Sequence, residues 1–417
     1  MKLAPGTPLD VALAFDPDAP VPAGRLAWAQ QTAQLEWSRE IIAKKLSVDP
    51  LPRYPLGLGL QPARTRYFDG LHGFLADSLP EGWGHLVMRK RLAKLGLDIA
   101  SLTPVERLAL VGEGGRGALV FHPATTPDAD ASIGIDLDAL ANEAAKILSG
   151  EDGKLADVLA KAAGGSGGAR PKVHVGFGAN GEVSIGDSEL PADHAAWIVK
   201  FKATEDPLDI GPLEEAYACM ADAAGLKLAP HKLLPAKQGP GYFATKRFDR
   251  PGGGVRLHML SLTGAIEAPT TAGAVSYDTL LRATQAITRN AEDVARAFRR
   301  MVFNVLSHNR DDHARQHAFL MDENGAWSLS PDYDLTYAAG PGGEHYLDIE
   351  GEGAKPTRKH IDALGAKHGL GAKELQLMVE EVAAAVGDWD KFAKAAGVSA
   401  DTTKLAADAH ARVRTTF

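Results

Sequence analysis

Apolar and polar positions change period several times along this chain. From residue 1 to about 125, short runs with the alternation of strands interleave with helical ones. The stretch DSLPEGWGHLVMRKRLAKLGL opens on a Pro and Gly turn before a basic amphipathic helix, expected on the surface with Val87, Leu92 and Leu95 turned inward. HPATTPDADASIGID, residues 122 to 136, is polar and proline-containing and marks a domain boundary. A helix through DLDALANEAAKIL leads to the glycine cluster GGSGGARPK at 164 to 172. Strands follow as KVHVGF, VSIG after the turn GANGE, and AAWIVKF. In PLEEAYACMADAAGL, Pro212 suits a first helical turn and Leu213, Ala216, Tyr217, Met220 and Ala224 share one face. Glu214, Glu215 and Asp222 are left on the others. Two more strands flank GPGYFATKRFDR. Asn290 with Asp293 then marks a helix start whose buried stripe is Val294, Phe298, Met301, Val302 and Val305. From about residue 356 onward the pattern is almost wholly helical.

Composition narrows the class. A chain of 417 residues is too long for one compact core and implies two or three domains or lobes. A single cysteine, Cys219, excludes a disulfide framework and fits a reducing compartment. The opening MKLAPGTPLDVALAF lacks a signal-type apolar core, and no run approaches the roughly 18 apolar residues of a membrane span, so a cytoplasmic protein without membrane contact is expected. A net charge of -8 argues against broad nucleic-acid binding by the chain alone, since phosphate contacts rest on clustered Lys and Arg.

The order of parts carries the chemistry. A glycine-rich loop, a hairpin, a strand bearing a lysine, a helix with acids, more strands and then a helical half with an acidic loop is the layout of a protein kinase. In SHNRDDHARQHAFLMDENGAWSLSPDYDL, residues 307 to 335, Asp311 is followed five positions later by Gln316. HAFLMD and AWSLSP form a hairpin around ENG, and Asp334 comes directly after. A carboxylate such as Asp311 orients and deprotonates a substrate hydroxyl. Mg²⁺ prefers oxygen ligands, which Asp334 and the Gln316 carbonyl supply. Lys200 reaches the phosphates, with Glu214 or Glu215 orienting it. The glycines of 164 to 168 let backbone amides approach ATP, and Lys172 adds charge. The expected fold is α+β and protein-kinase-like. It has a mixed α/β N-terminal subdomain (1–125), an N-lobe with the glycine-rich loop and the lysine strand (126–248) and an all-helical C-terminal lobe (249–417).

The segments GGARPK, WIVKF, ATKRFDR, HNRDDHARQHAFL and SPDYDL, with the N-terminal DSLPEGWG, resemble the HipA family of bacterial toxin kinases in the family's order and over nearly the whole chain. The resemblance implies a Mg-ATP-dependent serine/threonine kinase of a type II toxin–antitoxin system. Its partner is a small helix-turn-helix antitoxin through which operator DNA is contacted. Its substrate is a translation component such as an aminoacyl-tRNA synthetase, and its effect is growth arrest or persistence. It assigns Asp311 as catalytic base and Asp334 as metal ligand with Gln316. Gly167, Gly168, Ala169, Arg170, Pro171 and Lys172 match the phosphate loop, and Lys200 the nucleotide-binding lysine. Lys246, Arg247 and Phe248 match the hinge that holds adenine. His313, Ala314 and Arg315 match the part of the catalytic loop lying against the nucleotide, and Tyr333 sits beside Asp334. Gln316 stands where the family has Asn, so metal ligation reaches one methylene further. Gly165 stands where the family carries an autophosphorylated Ser, with Ser166 beside it as the candidate replacement.

Two readings from other classes stay open. His313 and His317 have the i, i+4 spacing of helix-borne zinc ligands beside Asp311 and Asp312, which suits a metallohydrolase. Gln316 and Gly165 suit a nucleotide-binding co-repressor that acts with a DNA-binding antitoxin and transfers no phosphate.

Overall fold

Alternation of inward and outward residues in VPAGRLAWA and TAQLEW builds the first sheet of the computed structural model, which describes all residues except 1–2, 4–5, 66, 126–135, 152–155, 164–166 and 187–189. Strands β1 (Leu9–Leu13), β2 (Val21–Ala29), β3 (Thr32–Trp37), β4 (Leu60–Pro62) and β5 (Leu119–His122) run antiparallel in the order β4-β3-β2-β1-β5. Helices α1 (Arg39–Lys44), α2 (Gly73–Ala76), α3 (Gly82–Lys94) and α4 (Pro104–Val111) complete this subdomain. The start of α4 is sealed by reciprocal Thr103 and Glu106 hydrogen bonds. The greater part of the proposed boundary at 122 to 136 lies outside the described residues.

Helices α5 (Leu137–Leu148) and α6 (Ala156–Ala163) precede a second antiparallel sheet of β6 (Lys172–Phe177), β7 (Val183–Ile185), β8 (Ala195–Lys200), β9 (His231–Leu234) and β10 (Tyr242–Lys246), in the order β7-β6-β8-β10-β9. Helix α7 (Ile210–Ala223) crosses between β8 and β9, with Leu213, Ala216, Tyr217 and Met220 buried as their spacing predicts. Glu214 departs from the expectation of an outer face, because it too is buried and points back at the lysine of β8.

The C-terminal lobe is mainly but not wholly helical, which corrects the all-helical expectation. Strand β11 (His258–Ser261) pairs with β13 (Ala318–Met321), and β13 with β14 (Trp327–Leu329). The short β12 (Val275–Ser276) and β15 (Leu347–Asp348) pair in parallel. Around them pack α8 (Leu262–Ile266), α9 (Tyr277–Thr288), α10 (Ala291–Leu306), α11 (Arg358–Lys367), α12 (Ala372–Gly387), α13 (Trp389–Ala396) and α14 (Ala400–Arg414). Strands enter this lobe because the catalytic loop is held by a hairpin, whose second face needs covering. Asn290 caps α10 by accepting from the Glu292 amide, whereas Asp293 turns inward to Arg296 and the Leu329 amide.

One continuous core joins the first sheet to the C-terminal lobe: Leu9, Leu26 and Phe121 belong to the same buried cluster as Leu260, Phe298 and Met301. A second cluster beneath the other sheet unites Val173 and Val199 with Leu140 of α5 and with Trp83 and Val87 of α3. Helix α3 is thus an inter-lobe strut and not a free surface helix. Leu92 packs with Ile99 and Leu102, while Leu95 ends the helix in solvent, 46% exposed, contrary to the inward placement its spacing suggested. Among the described residues no helix is long and apolar enough to cross a membrane.

Candidate active site

Where the two lobes face one another lies a cavity of about 320 Å³. Its lining includes the apolar Ile198, Ala218, Leu228, Phe243, Met259 and Leu335 together with the polar Lys172, Lys200, Gln316 and Asp334, of which Lys200 and Gln316 both contact Asp334. A flat heteroaromatic base with a polyphosphate tail has this division of apolar and anionic parts.

Lys200 ends β8, a central strand, so its ammonium is delivered beneath the sheet rather than to solvent. Lys200 Nζ lies 2.9 Å from Glu214 Oε2 and 2.5 Å from Asp334 Oδ1. Burial works against its charge, but Asp334 and Glu214 raise its pKa above the ordinary lysine range. Of the adjacent Glu214 and Glu215 on α7, the helix twist selects Glu214, which also accepts from Arg170 Nη1 at 3.2 Å. Arg170 is in turn held by Asp206 at 3.0 Å, a partner that the sequence patterns had not singled out. Glu215 instead joins His231 (2.9 Å), whose other ring nitrogen meets Asp222 (3.0 Å). Glu215, Cys219 and His231 are the one cluster of three metal-type ligands among the described residues. Both ring nitrogens of His231 are already bonded to carboxylates, so the cluster is an ion network closing α7 onto β9. His313 and His317 do not converge on a metal-type cluster with the adjoining acids: His317 is buried under Tyr277, its ring centroid 5.9 Å from that of the tyrosine.

The β13–β14 hairpin sets the distance between Asp311 and Asp334. Its turn is made by Asp322, which accepts from the Asn324 and Ala326 amides, and by Gly325 at φ +81°. Asp334 itself has φ +58°, in a left-handed region that Asp tolerates better than most side chains. Burial alone would raise its pKa; Lys200 and Lys172 hold it well below the usual carboxylate range, so it is an anion at any working pH. Gln316 Nε2 donates to Asp334 Oδ2 at 2.8 Å, which leaves the Gln316 carbonyl oxygen as a second hard donor beside an ionised carboxylate. That donor set fits Mg²⁺, which is commonly held by one or two carboxylates together with substrate phosphates. Truncating Gln316 to alanine is expected to raise the Mg²⁺ concentration needed for half-maximal activity about 10–100-fold, whereas Gln316→Asn, which restores the family's residue, is expected to preserve or raise activity, as a metal titration reads directly.

Asp311 does not itself line the cavity. Its half-buried carboxylate lies 3.7 Å from Nε2 of His313, which does. Burial raises the Asp311 pKa, His313 opposes the shift and Asp334 adds to it. The neighbouring Asp312 carries the structural load. Fully buried, it accepts from Tyr277 OH (2.6 Å), His345 Nδ1 (2.9 Å) and the Tyr346 amide (2.8 Å), anchoring the loop so that residue 311 faces outward.

Of the loop preceding β6, residues 164–166, and with them Ser166 and Gly165, lie outside the described residues. Gly167, Gly168 and Ala169 line the cavity, Gly168 at φ +80°, and Pro171 extends the sheet by accepting from the Phe201 amide. Lys172 is nearly buried, and burial lowers its pKa to about 8 even though Asp334 pulls the other way. An anion that needs the ammonium should therefore bind more weakly as pH rises through about 8. Affinity is expected to fall by up to roughly tenfold per pH unit above that value, and Lys172→Met should flatten the profile, measured by titration with a nucleotide.

The hinge stretch divides by side chain. Lys246 and Phe248 line the cavity, and Phe248 rests on Tyr333 at 5.6 Å between ring centroids. Arg247 borders it too, but its guanidinium is turned away into a buried pair with Asp249 (2.7 Å) and onto His174 Nδ1 (3.2 Å), so it braces the hinge rather than reaching a ligand. Ala314 is buried within a single helical turn, and Tyr333 OH donates to the Arg315 carbonyl at 2.6 Å. Arg315 is held by two acids of the N-terminal subdomain, Glu81 at 2.8 Å and Asp77 at 3.4 Å. Glu81, Gly82 and Arg116 line the cavity as well; only the DSLPEGWG motif hinted at them.

A five-stranded sheet whose lysine meets an acid of its one crossing helix, set over a helical lobe that supplies Asp311, Gln316 and Asp334, defines a protein-kinase-like two-lobed fold. The chain belongs to the HipA family: residues 164–389 match the HipA-like C-terminal domain and residues 19–122 the HipA N-terminal domain. Among solved structures, the chain is similar to HipA of Shewanella oneidensis MR-1, determined with HipB and its operator DNA. The two share 17% identity, the match covers 97% of this chain and 95% of that one, and the TM-score is 0.69. A second likeness, to the Helicobacter pylori proinflammatory kinase CtkA, has 13% identity and a TM-score of 0.33 over 53% of this chain and 91% of that one. A search of curated protein sequences gave no match.

Proposed function

We propose that this chain is a Mg-ATP-dependent serine/threonine protein kinase and the toxin of a HipBA-like toxin–antitoxin pair. The observation that carries the reading is Lys200 bridging Glu214 at 2.9 Å and Asp334 at 2.5 Å, with Gln316 on the second Asp334 oxygen. Kinases need the lysine–glutamate pair and the metal-binding aspartate in place together. Asp311 takes the proton of a substrate hydroxyl as its oxygen bonds to the γ-phosphorus and the bond to the leaving diphosphate breaks. Lys172 and Lys200 offset the phosphate charge, and the backbone of residues 167–169 lies against it. Asp334 and the Gln316 carbonyl hold Mg²⁺, which when bound neutralises charge on the phosphates. The apolar wall with Phe248 and Tyr333 takes the adenine.

A helix-turn-helix partner of the HipB kind, bound to operator DNA, is the proposed assembly. It is supported by family membership and by the HipB and operator DNA in the Shewanella complex. The proposed substrate is a translation component such as an aminoacyl-tRNA synthetase, and the proposed compartment the cytoplasm. The test is incubation of purified protein with Mg-ATP and a cell lysate, followed by phosphosite mapping. New phosphoserine or phosphothreonine, absent with an Asp311 variant, is expected and identifies the target. Nucleotide binding without transfer would replace this reading with that of a co-repressor.

A further inference from the structure

Residues 77–83, DSLPEGW, belong to the N-terminal subdomain yet touch both halves of the active site. On the side of the N-lobe, the Trp83 amide donates to the Gly168 carbonyl at 2.9 Å and its indole Nε1 to the Lys172 carbonyl at 3.0 Å. These bonds grip the cavity-lining loop at both ends of residues 168–172. Gly82 has φ +47°, and a Cβ there would collide with the Gly168 carbonyl and stand 3.0 Å from Ala169 Cα. Only glycine lets the two backbones approach so closely. On the side of the C-terminal lobe, Glu81 and Asp77 hold Arg315 of the catalytic loop, and Asp77 also accepts from the Ser261 hydroxyl at 2.8 Å. Arg116 of the same subdomain donates to the Asp77 carbonyl at 2.7 Å and lies against Gly167.

We propose that this segment is a positioning clamp for phosphoryl transfer, setting the glycine-rich loop at a fixed distance from the catalytic loop; the proposal rests on the kinase reading above. In a two-lobed enzyme, the phosphates are held by one lobe and the base and metal by the other. Transfer requires their separation to be right within a fraction of an ångström. The lobes also touch directly away from these loops, where Tyr217 OH of α7 donates to the Ser307 carbonyl at 2.7 Å and Asp209 accepts from the Ser399 amide at 2.8 Å. A third body bonded to both loops adds the contact that sets one loop against the other. Gly82 and Trp83 act on the loop that meets the phosphates, and Glu81 acts through Arg315, whose neighbour is Gln316. These are positioning residues, not catalytic ones.

The two arms separate in kinetics. Gly82→Ala and Trp83→Phe are expected to weaken binding of a non-hydrolysable Mg-ATP analogue about tenfold and to raise amide hydrogen exchange over residues 168–172. Glu81→Ala is expected to lower kcat about 10–100-fold with KM for ATP within about twofold, and Glu81→Gln, which keeps an acceptor for Arg315, to recover part of the loss. A purely structural role predicts lowered thermal midpoints with kcat and KM unchanged at a permissive temperature, and that outcome overturns the clamp. Unchanged exchange and unchanged analogue affinity in Gly82→Ala overturn it equally. If the wild-type protein binds the analogue but transfers no phosphate, the kinase reading has failed. The clamp then stands or falls on the binding and exchange measurements alone.

Discussion

Alanine at Asp311 should lower phosphoryl transfer at least about 1000-fold while leaving the fold and nucleotide affinity near their wild-type values. A positioned base is worth roughly 10²–10⁴ in rate, and the general acid–base role has no other carboxylate in place to assume it. Asp312 is buried and committed to Tyr277, His345 and the Tyr346 amide, and Asp334 is committed to Lys200 and Gln316. Asp311 has no comparable structural duty, its carboxylate lying 3.7 Å from Nε2 of His313. Its removal should shift stability by no more than about 0.5 kcal/mol, as expected for a residue outside the core. Turnover, analogue binding and the thermal midpoint measured on one preparation check all three parts; a variant with unchanged turnover would show that another group is the base. The pH profile supplies an independent check. Burial and Asp334 raise the Asp311 pKa, and the base acts deprotonated, so the acid limb of kcat should fall off above the ordinary aspartate range. Activity is lost as pH drops through that raised value.

Asp249→Ala should do the reverse, costing about 3–5 kcal/mol of stability because it removes the carboxylate shared by two buried guanidiniums. Asp249 accepts from Arg247 (2.9 and 2.7 Å), Arg250 (2.9 Å) and the Gly117 amide (2.9 Å), and burial, which would raise its pKa, is overcome by the two arginines. Arg250 also donates to the Gly115 and Gly117 carbonyls, so this one side chain ties the hinge to the N-terminal subdomain. Urea unfolding reads the loss; a midpoint within experimental error of wild type would show that the pair is offset by its own desolvation. Asp249→Asn keeps the shape and part of the hydrogen bonding and should fall between. Phe248 is adjacent and lines the cavity, so nucleotide affinity should decline in step with stability here, in contrast to Asp311→Ala.

Much of the site was legible because its spacing is local. Asp311, Gln316, the hairpin and Asp334 lie within 24 residues, 311–334, and the hairpin's geometry follows from the Asp322–Gly325 turn. Helix α7 was legible from its apolar period, and α10 from Asn290 as a cap. The choice between Glu214 and Glu215 was not, because adjacent residues on a helix point about 100° apart and the strand facing them decides which is buried. Arg247 and Arg315 both line the cavity as the family resemblance implies, while the partners that hold their guanidiniums, Asp249 with His174 and Asp77 with Glu81, are set by tertiary packing. Leu95 kept the helical spacing of Val87 and Leu92 but lies past the end of the strut, where nothing covers it.

The sequence by itself determined the order of parts, the family, and the candidate carboxylates Asp311 and Asp334 with the candidate lysine Lys200. Those properties reside in residue type and short spacing, which chain connectivity enforces. Only the tertiary structure decided that Lys200 meets Asp334 across 134 residues, that Asp206 steadies Arg170, and that residues 77–83 reach over both loops of the site. Such contacts join segments whose separation along the chain carries no geometric information. Burial, close backbone approach at Gly82 and the sharing of charge among neighbours arise only when the packed lobes exclude water and bring them within hydrogen-bond reach.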